Sequence, residues 1–179
     1  MRQGAEGGGV SGKIVAGFDL GVKGASCYGE PGGRPCVDTW DLAESVDSPH
    51  PGALVSAWHD HVRGFMQAVK PALIVFEQVV AAAHHKGAGS GHAWAGYRAI
   101  LFMEAFRAGV PVEPVYYSTA KRQITGNGGC EKIDVLVHLR RQYPTLPLHG
   151  FDAGDALAIW LVGCRDLKKW GFWREGAET

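Results

Sequence analysis

Apolar and polar positions change period several times along the chain, and each change marks an element. From Lys13 to Asp19 the run KIVAGFD is apolar at most positions and stops on a carboxylate, the pattern of a strand covered on both faces. ASCYGE (25–30) and PCVDTWDL (35–42) follow as two more strands, with the turn-forming GEPGGRP between them. Three consecutive strands on short links must be antiparallel neighbours. From Ser48-Pro49 to Val69 the period becomes helical: Leu54, Trp58, Val62, Phe65, Met66 and Val69 share one face, and Pro71 ends the run. ALIVFEQV (72–79) is again continuously apolar and carries a second carboxylate, Glu77. A strand reached through a helical crossover is predicted to run parallel to the first, which brings Asp19 and Glu77 to one edge of the sheet.

AAAHHKGAGSG (81–91) reads as a mobile loop, and a helix from about His92 to Ala108 follows, with Trp94, Tyr97, Leu101 and Ala105 on one stripe. VEPVYYS (112–118) is a fifth strand, and Pro114 suits an edge position. STAKRQITGNGG is a short helix running into a Gly-rich turn. Glu131 to Gln142 is another helix, with Ile133, Leu136 and Val137 inward. The final helix, Asp152 to Lys169, carries Ala153, Ala156, Leu157, Trp160, Leu161 and Cys164 as its core stripe. The order β-β-β-α-β-α-β-α-α-α predicts an α/β fold: a five-stranded mixed sheet, three antiparallel strands and then parallel ones, with helices on both faces. Residues 1–12 are Gly-rich with little to bury and are expected to be a tail; 13–170 form the domain and 171–179 a C-terminal tail.

Composition narrows the class. A chain of 179 residues builds one domain with a real core. Eighteen basic residues balance eighteen acidic ones, so net charge alone makes no case for nucleic acid. The four cysteines (27, 36, 130, 164) show neither a CxxC pair nor zinc spacing and read as reduced thiols, most of them packed as small hydrophobes. No apolar run approaches the roughly 20 residues needed to span a bilayer. The N-terminus lacks the apolar core of a secretory signal, so a cytoplasmic protein is expected.

Candidate chemistry gathers on carboxylates. FDAGDALAIW places Asp152 and Asp155 three apart, on one face of a helix start. Asp19 alone could cap a turn, and Asp152 alone could be a helix N-cap. Asp155 lies close to the apolar stripe of its own helix, an expensive place for a charge without a counter-ion. With Asp19 and Glu77, four carboxylates converge. Divalent cations would turn their mutual repulsion into binding, and oxygen ligands without His or Cys spacing point to Mg²⁺ or Mn²⁺. Two such ions about 4 Å apart suit in-line phosphodiester displacement, activating water and stabilising the leaving oxygen.

These residues resemble the RuvC-type Holliday junction resolvases of the ribonuclease H-like superfamily, phage-type members included. GFDLGVKG resembles the first motif, with Asp19; LIVFEQV the second, with Glu77; STAKRQITGNGGCEK the basic segment, with Lys121 and Lys132; DAGDALAIW the closing motif, with Asp152 and Asp155. The four occur in the family's order across residues 13 to 165. The resemblance implies a ribonuclease H-like fold and a crossover junction endodeoxyribonuclease acting in DNA recombination and repair. It implies Asp19, Glu77, Asp152 and Asp155 as ligands of two Mg²⁺ ions, replaceable by Mn²⁺. Lys132 then stabilises charge or steers the scissile phosphate, and Lys121 is a second phosphate contact. It further implies branched DNA as partner, a homodimer, ligatable 5′-phosphate and 3′-hydroxyl ends, and work beside the nucleoid of a bacterial or phage-infected cell. A branch-migration partner is compatible with it but not indicated.

One departure bears on specificity. Where the bacterial family often carries an aromatic residue after Glu-Gln-Val, this chain has Val80. His84, His85, Lys86 and Trp94 are candidate substitutes, although His84 and His85 read more simply as part of a solvated loop. From 118 to 141, Lys121, Arg122, Lys132, Arg140 and Arg141 face only Glu131 and Asp134, an excess of three positive charges suited to phosphate contacts. Arg140 and Arg141 also suit a plain helix C-terminus, and the glycines of TGNGG a helix C-cap. Competing readings are a broader nuclease on forks and flaps, a junction-binding protein without cleavage, and a phosphotransferase of the actin-like ATPase class. The last normally needs two such domains, and the chain has one copy of the motif.

Overall fold

The computed structural model describes residues 13–47, 50–78 and 88–167, with the side chains of 88–93 excepted. The expected tails, the junction at Ser48-Pro49 and most of the 81–91 segment lie outside the described residues.

The elements come in the expected order. Strands β1 (Val15–Asp19), β2 (Lys23–Gly29) and β3 (Cys36–Asp41) precede helix α1 (Pro51–Val69) and strand β4 (Leu73–Glu77). Helix α2 (Ala88–Arg107), strand β5 (Val112–Val115) and helices α3 (Tyr117–Thr125), α4 (Lys132–Gln142) and α5 (Phe151–Arg165) complete the chain. The sheet order is β3-β2-β1-β4-β5. β1 and β2 pair antiparallel, as do β2 and β3; β4 is parallel to β1, and β5 to β4. Pro114 therefore sits on an edge strand, where its missing N–H costs no ladder bond.

β1 lies at the centre and alternates between two cores. Val15 points into the layer built with α5, α4 and α3, while Ala16 and Phe18 point into the layer built with α1 and α2. On the second side Trp58, Val62, Phe65 and Met66 are the buried face of α1, as their spacing predicts, and the Trp58 indole donates to the Tyr97 carbonyl of α2 at 2.9 Å. On the first side the Trp160 indole donates to the Val15 carbonyl at 3.0 Å. Gly17 makes this close packing possible: a Cβ there would lie 2.6 Å from the Trp160 nitrogen and 2.9 Å from the Ala156 oxygen, both backbone atoms of α5.

Several local expectations are corrected. α1 is capped by His50, whose Nδ1 accepts from the Gly52 N–H at 3.0 Å. β5 is shorter than VEPVYYS, because Tyr116 caps α3 and Tyr117 already belongs to that helix. α2 starts at Ala88, inside the stretch expected to be loop. α5 ends at Arg165, and its N-cap is Gly150, not Asp152. The sequence predicts a single core stripe on α5, yet the helix is buried almost all round, because the sheet covers one side and α3 and α4 the other. In α4 the inward residues are Val135, Leu136 and Leu139, whereas Ile133 is exposed. The cysteines are free thiols, with Cys27 buried, Cys36 exposed and Cys130 and Cys164 in between. Among the described residues no helix is long and apolar enough to cross a membrane.

Candidate active site

Parallel pairing of β1 and β4 sets Phe18 opposite Phe76, so the next residues, Asp19 and Glu77, stand side by side at the same sheet edge. The Ala156 and Trp160 backbone of α5 lies against Gly17, and this close crossing brings the first turn of α5 to that edge. Asp152 there is partly exposed. Asp155, one turn further, is 2% exposed. α4 supplies Lys132 at its first position, and α3 supplies Tyr117 at its own.

Asp155 is the hub. Its Oδ1 accepts from the Tyr117 hydroxyl and its Oδ2 pairs with the Lys132 ammonium. Burial still holds the Asp155 carboxyl above the usual range, against the lowering influence of Lys132 and Tyr117. Asp19 is raised well above the usual range as well, first by burial and then by the negative charges of Asp155, Glu77 and Asp152, with Lys132 opposing them. Burial works against the Lys132 cation, but the pairing with Asp155 and the charges of Glu77 and Asp19 outweigh it, and its pKa is raised. Lys132 is therefore charged, with an ammonium drawn into a nest of anions.

The donor set and its electrostatics fit a hard divalent cation: oxygen ligands only, and carboxyls that raise one another's pKa. As the side chains stand, no three His, Cys, Asp or Glu groups among the described residues are gathered closely enough to enclose an ion. The Lys132 ammonium is paired with one of these carboxylates, Asp155.

The remaining candidates fall in three places. Lys121 donates to the Cys130 carbonyl at 2.5 Å, which ties the α3–α4 turn together, and lies 5.6 Å from the centre of the Tyr117 ring. Arg122 is exposed in the last turn of α3, beside the Gly-rich turn. Gly126 in that turn is the C-cap of α3 in the left-handed region, with φ of 79°. Arg140 is used structurally, its guanidinium donating twice to the Leu148 carbonyl at 3.0 and 2.6 Å. Val80, His84, His85 and Lys86 lie outside the described residues.

Tyr117 falls in VEPVYYS, whose pattern predicts a strand, so the sequence does not mark it as a site residue. Its spacing carries a signal in retrospect: four residues before Lys121, it shares that residue's face once the segment is helical.

No protein-family model matches the chain. It is similar to the crossover junction endodeoxyribonuclease RuvC of Bdellovibrio bacteriovorus, 30% identical over 107 residues, 60% of this chain and 62% of that protein. The match thus spans less than two thirds of that relative's length. Among solved structures, that of Thermus thermophilus RuvC superposes with a TM-score of 0.67 at 20% identity, covering 88% of this chain and 96% of that one. T. thermophilus RuvC in complex with Holliday junction substrate gives 0.66 at 17% identity, with the same coverage. The chain therefore has the ribonuclease H-like fold of RuvC, with the mixed antiparallel and parallel pairing expected from its sequence.

Proposed function

We propose that this chain is a metal-dependent, structure-selective endonuclease that cuts branched DNA, with the four-way junction as its substrate. One observation carries the reading: the parallel β1–β4 pair sets Asp19 beside Glu77, within electrostatic reach of Asp152, Asp155 and Lys132. Four anions and one cation at a single sheet edge cost stability in a protein with no use for them. The sequence likeness to RuvC and the junction-bound RuvC of the same fold support the same conclusion.

In this reading Asp19, Glu77, Asp152 and Asp155 hold Mg²⁺, with Mn²⁺ able to replace it. When bound, the cations supply an activated water and neutralise charge on the leaving oxygen. The Lys132 side chain is 49% exposed, so its ammonium can turn from Asp155 toward a phosphodiester and take up the charge that develops on it. Lys121 and Arg122 border the path of the backbone, and His84, His85 and Lys86 are further candidate contacts. Two cuts in one four-way junction need two sites, which a C2 homodimer provides. The stripe of Tyr97 and Leu101 is buried in the chain's own core and is not free for that contact. The outer face of α2 is: Phe102 is 41% exposed, Met103 37% and Phe106 86%. Such an enzyme works in the cytoplasm, beside the DNA of a bacterial or phage-infected cell.

The test is cleavage of end-labelled four-way, three-way and linear duplex DNA with Mg²⁺, beside the Asp155→Asn and Asp19→Asn variants. Paired symmetric nicks confined to the four-way junction and lost in the variants, with junction binding kept, are expected. Cuts in every branched form would widen the activity to forks and flaps. Tight binding without cleavage in Mg²⁺ or Mn²⁺ would overturn the nuclease reading in favour of a junction-binding protein.

A further inference from the structure

Tyr117 joins three groups that the proposed reaction needs. Its hydroxyl donates to Asp155 Oδ1, and its ring lies 5.1 Å from the Lys132 ammonium and 5.6 Å from that of Lys121. The ring position is set by α3, which starts at Tyr117 because Tyr116, in extended conformation, caps the helix. α3 is in turn fixed to α5 by the Gln123 amide, which donates to the Leu161 carbonyl at 3.0 Å. The tyrosine is thus a part-buried side chain on a braced helix, with its one polar atom spent on a carboxylate that is 2% exposed.

Two acceptor atoms of Asp155 have different partners, and the partners differ in kind. Lys132 is a cation on a flexible stem whose side chain is 49% exposed, so its bond to Oδ2 is exchangeable for another cation. The tyrosine is a neutral donor on a rigid ring and has no charge to lose to an incoming metal. It fixes the rotation of the carboxylate by holding Oδ1, while Oδ2 changes hands. The ring face meanwhile gives the displaced ammonium an electrostatic resting place beside the site.

We propose that Tyr117 is a positioning residue that orients the Asp155 carboxylate for a divalent cation and keeps Lys132 beside it. This rests on the metal-dependent reading of the site. Groups that hydrogen-bond to a metal-ligating side chain set its orientation, and their loss costs about 10–100-fold in metal affinity or activity.

The test is Mn²⁺ binding to the whole chain without DNA, followed by the electron paramagnetic resonance signal of free Mn²⁺, for the wild type, Tyr117→Phe and Tyr116→Phe. Tyr116 is 55% exposed and serves as the control. Tyr117→Phe keeps the ring and removes only the hydroxyl. It is expected to weaken Mn²⁺ binding about tenfold or more, while Tyr116→Phe leaves it unchanged. In cleavage, the Tyr117→Phe rate should recover toward wild type at saturating Mn²⁺, with a shift in half-saturation, while a Tm in chelator equal to that of wild type separates this from a general loss of stability. If the phenylalanine variant does not fold, the ultraviolet band of the wild-type tyrosines serves instead: Mn²⁺ should perturb it in wild type and not in Asp155→Asn, and no perturbation would overturn the inference. Wild-type affinity in Tyr117→Phe would overturn this inference and leave the proposed function standing. A wild-type chain that binds no Mn²⁺ would overturn both.

Discussion

Replacing Gly17 by alanine puts a methyl group where α5 already lies. The added Cβ would sit 2.6 Å from the Trp160 nitrogen, 2.9 Å from its Cα and 2.9 Å from the Ala156 oxygen. All three are backbone atoms, so no rotamer change relieves the clash. Ordinary carbon contacts begin near 3.4 Å, so helix and strand must part by about 0.8 Å, and overpacking of this kind costs about 1–3 kcal/mol. For a domain of this size that is a fall in Tm of about 2–12 °C. The chemical effect should be larger than the stability effect suggests. β1 carries Asp19 two residues beyond Gly17, and α5 carries Asp155 next to Ala156, so the displacement acts between the two carboxylates. A misplacement near 1 Å in such a constellation costs about 10²-fold in rate. The assays are thermal unfolding and Mg²⁺-dependent cleavage of a four-way junction, with Gly163→Ala for comparison. There the added Cβ meets Val75 Cγ2 at 2.8 Å and Val15 Cγ1 at 3.1 Å, side-chain methyls farther along α5 from the carboxylates. Gly163→Ala is expected to lower Tm and largely spare the rate. Unchanged Tm and cleavage in Gly17→Ala, or equal rate losses in the two variants, would refute the claim that the β1–α5 approach sets the site.

Three further outcomes follow from the same geometry. The folded pKa of Asp19 is raised above its unfolded value, so its contribution to stability is present below about pH 4 and is lost as pH rises through the raised pKa. In chelator at pH 7, Asp19→Asn should therefore melt above wild type, with the gap closing toward pH 4 in calorimetry, although the variant does not cleave. Lys132→Met should do the reverse in chelator: it leaves Asp155 without its cation, lowers Tm, and reduces cleavage about 10²-fold even where Mg²⁺ restores the Tm. Trp58→Phe removes the buried indole bond to the Tyr97 carbonyl and should cost about 1–3 kcal/mol in denaturant unfolding with junction cleavage retained, since it lies across the sheet from α5.

Much of this protein is local and hence readable along the chain. A strand covered on both faces is apolar throughout, and an amphipathic helix repeats its burial every turn. KIVAGFD, LIVFE and the Trp58–Val62–Phe65–Met66 face therefore declare themselves, and the helical crossover into LIVFE predicts a strand parallel to β1, with Asp19 and Glu77 at one edge, as the β1–β4 pairing has them. What the period cannot report is burial from several directions. On α5 the period picks out one stripe, yet sheet and helices enclose the helix and bury Ala158, Ile159 and Val162 as well, and the outer face of α2, with Phe102 and Phe106, reads like any other apolar turn until the packing of the described residues leaves it exposed. Nor can it report a bond between distant positions. Tyr117 and Asp155 are 38 residues apart, and Lys132 and Asp155 are 23 apart. Each is an ordinary polar residue in its own segment. Only the packing of α3 and α4 over α5 brings them together, because a hydrogen bond depends on distances set by the whole fold and not on neighbours in the sequence.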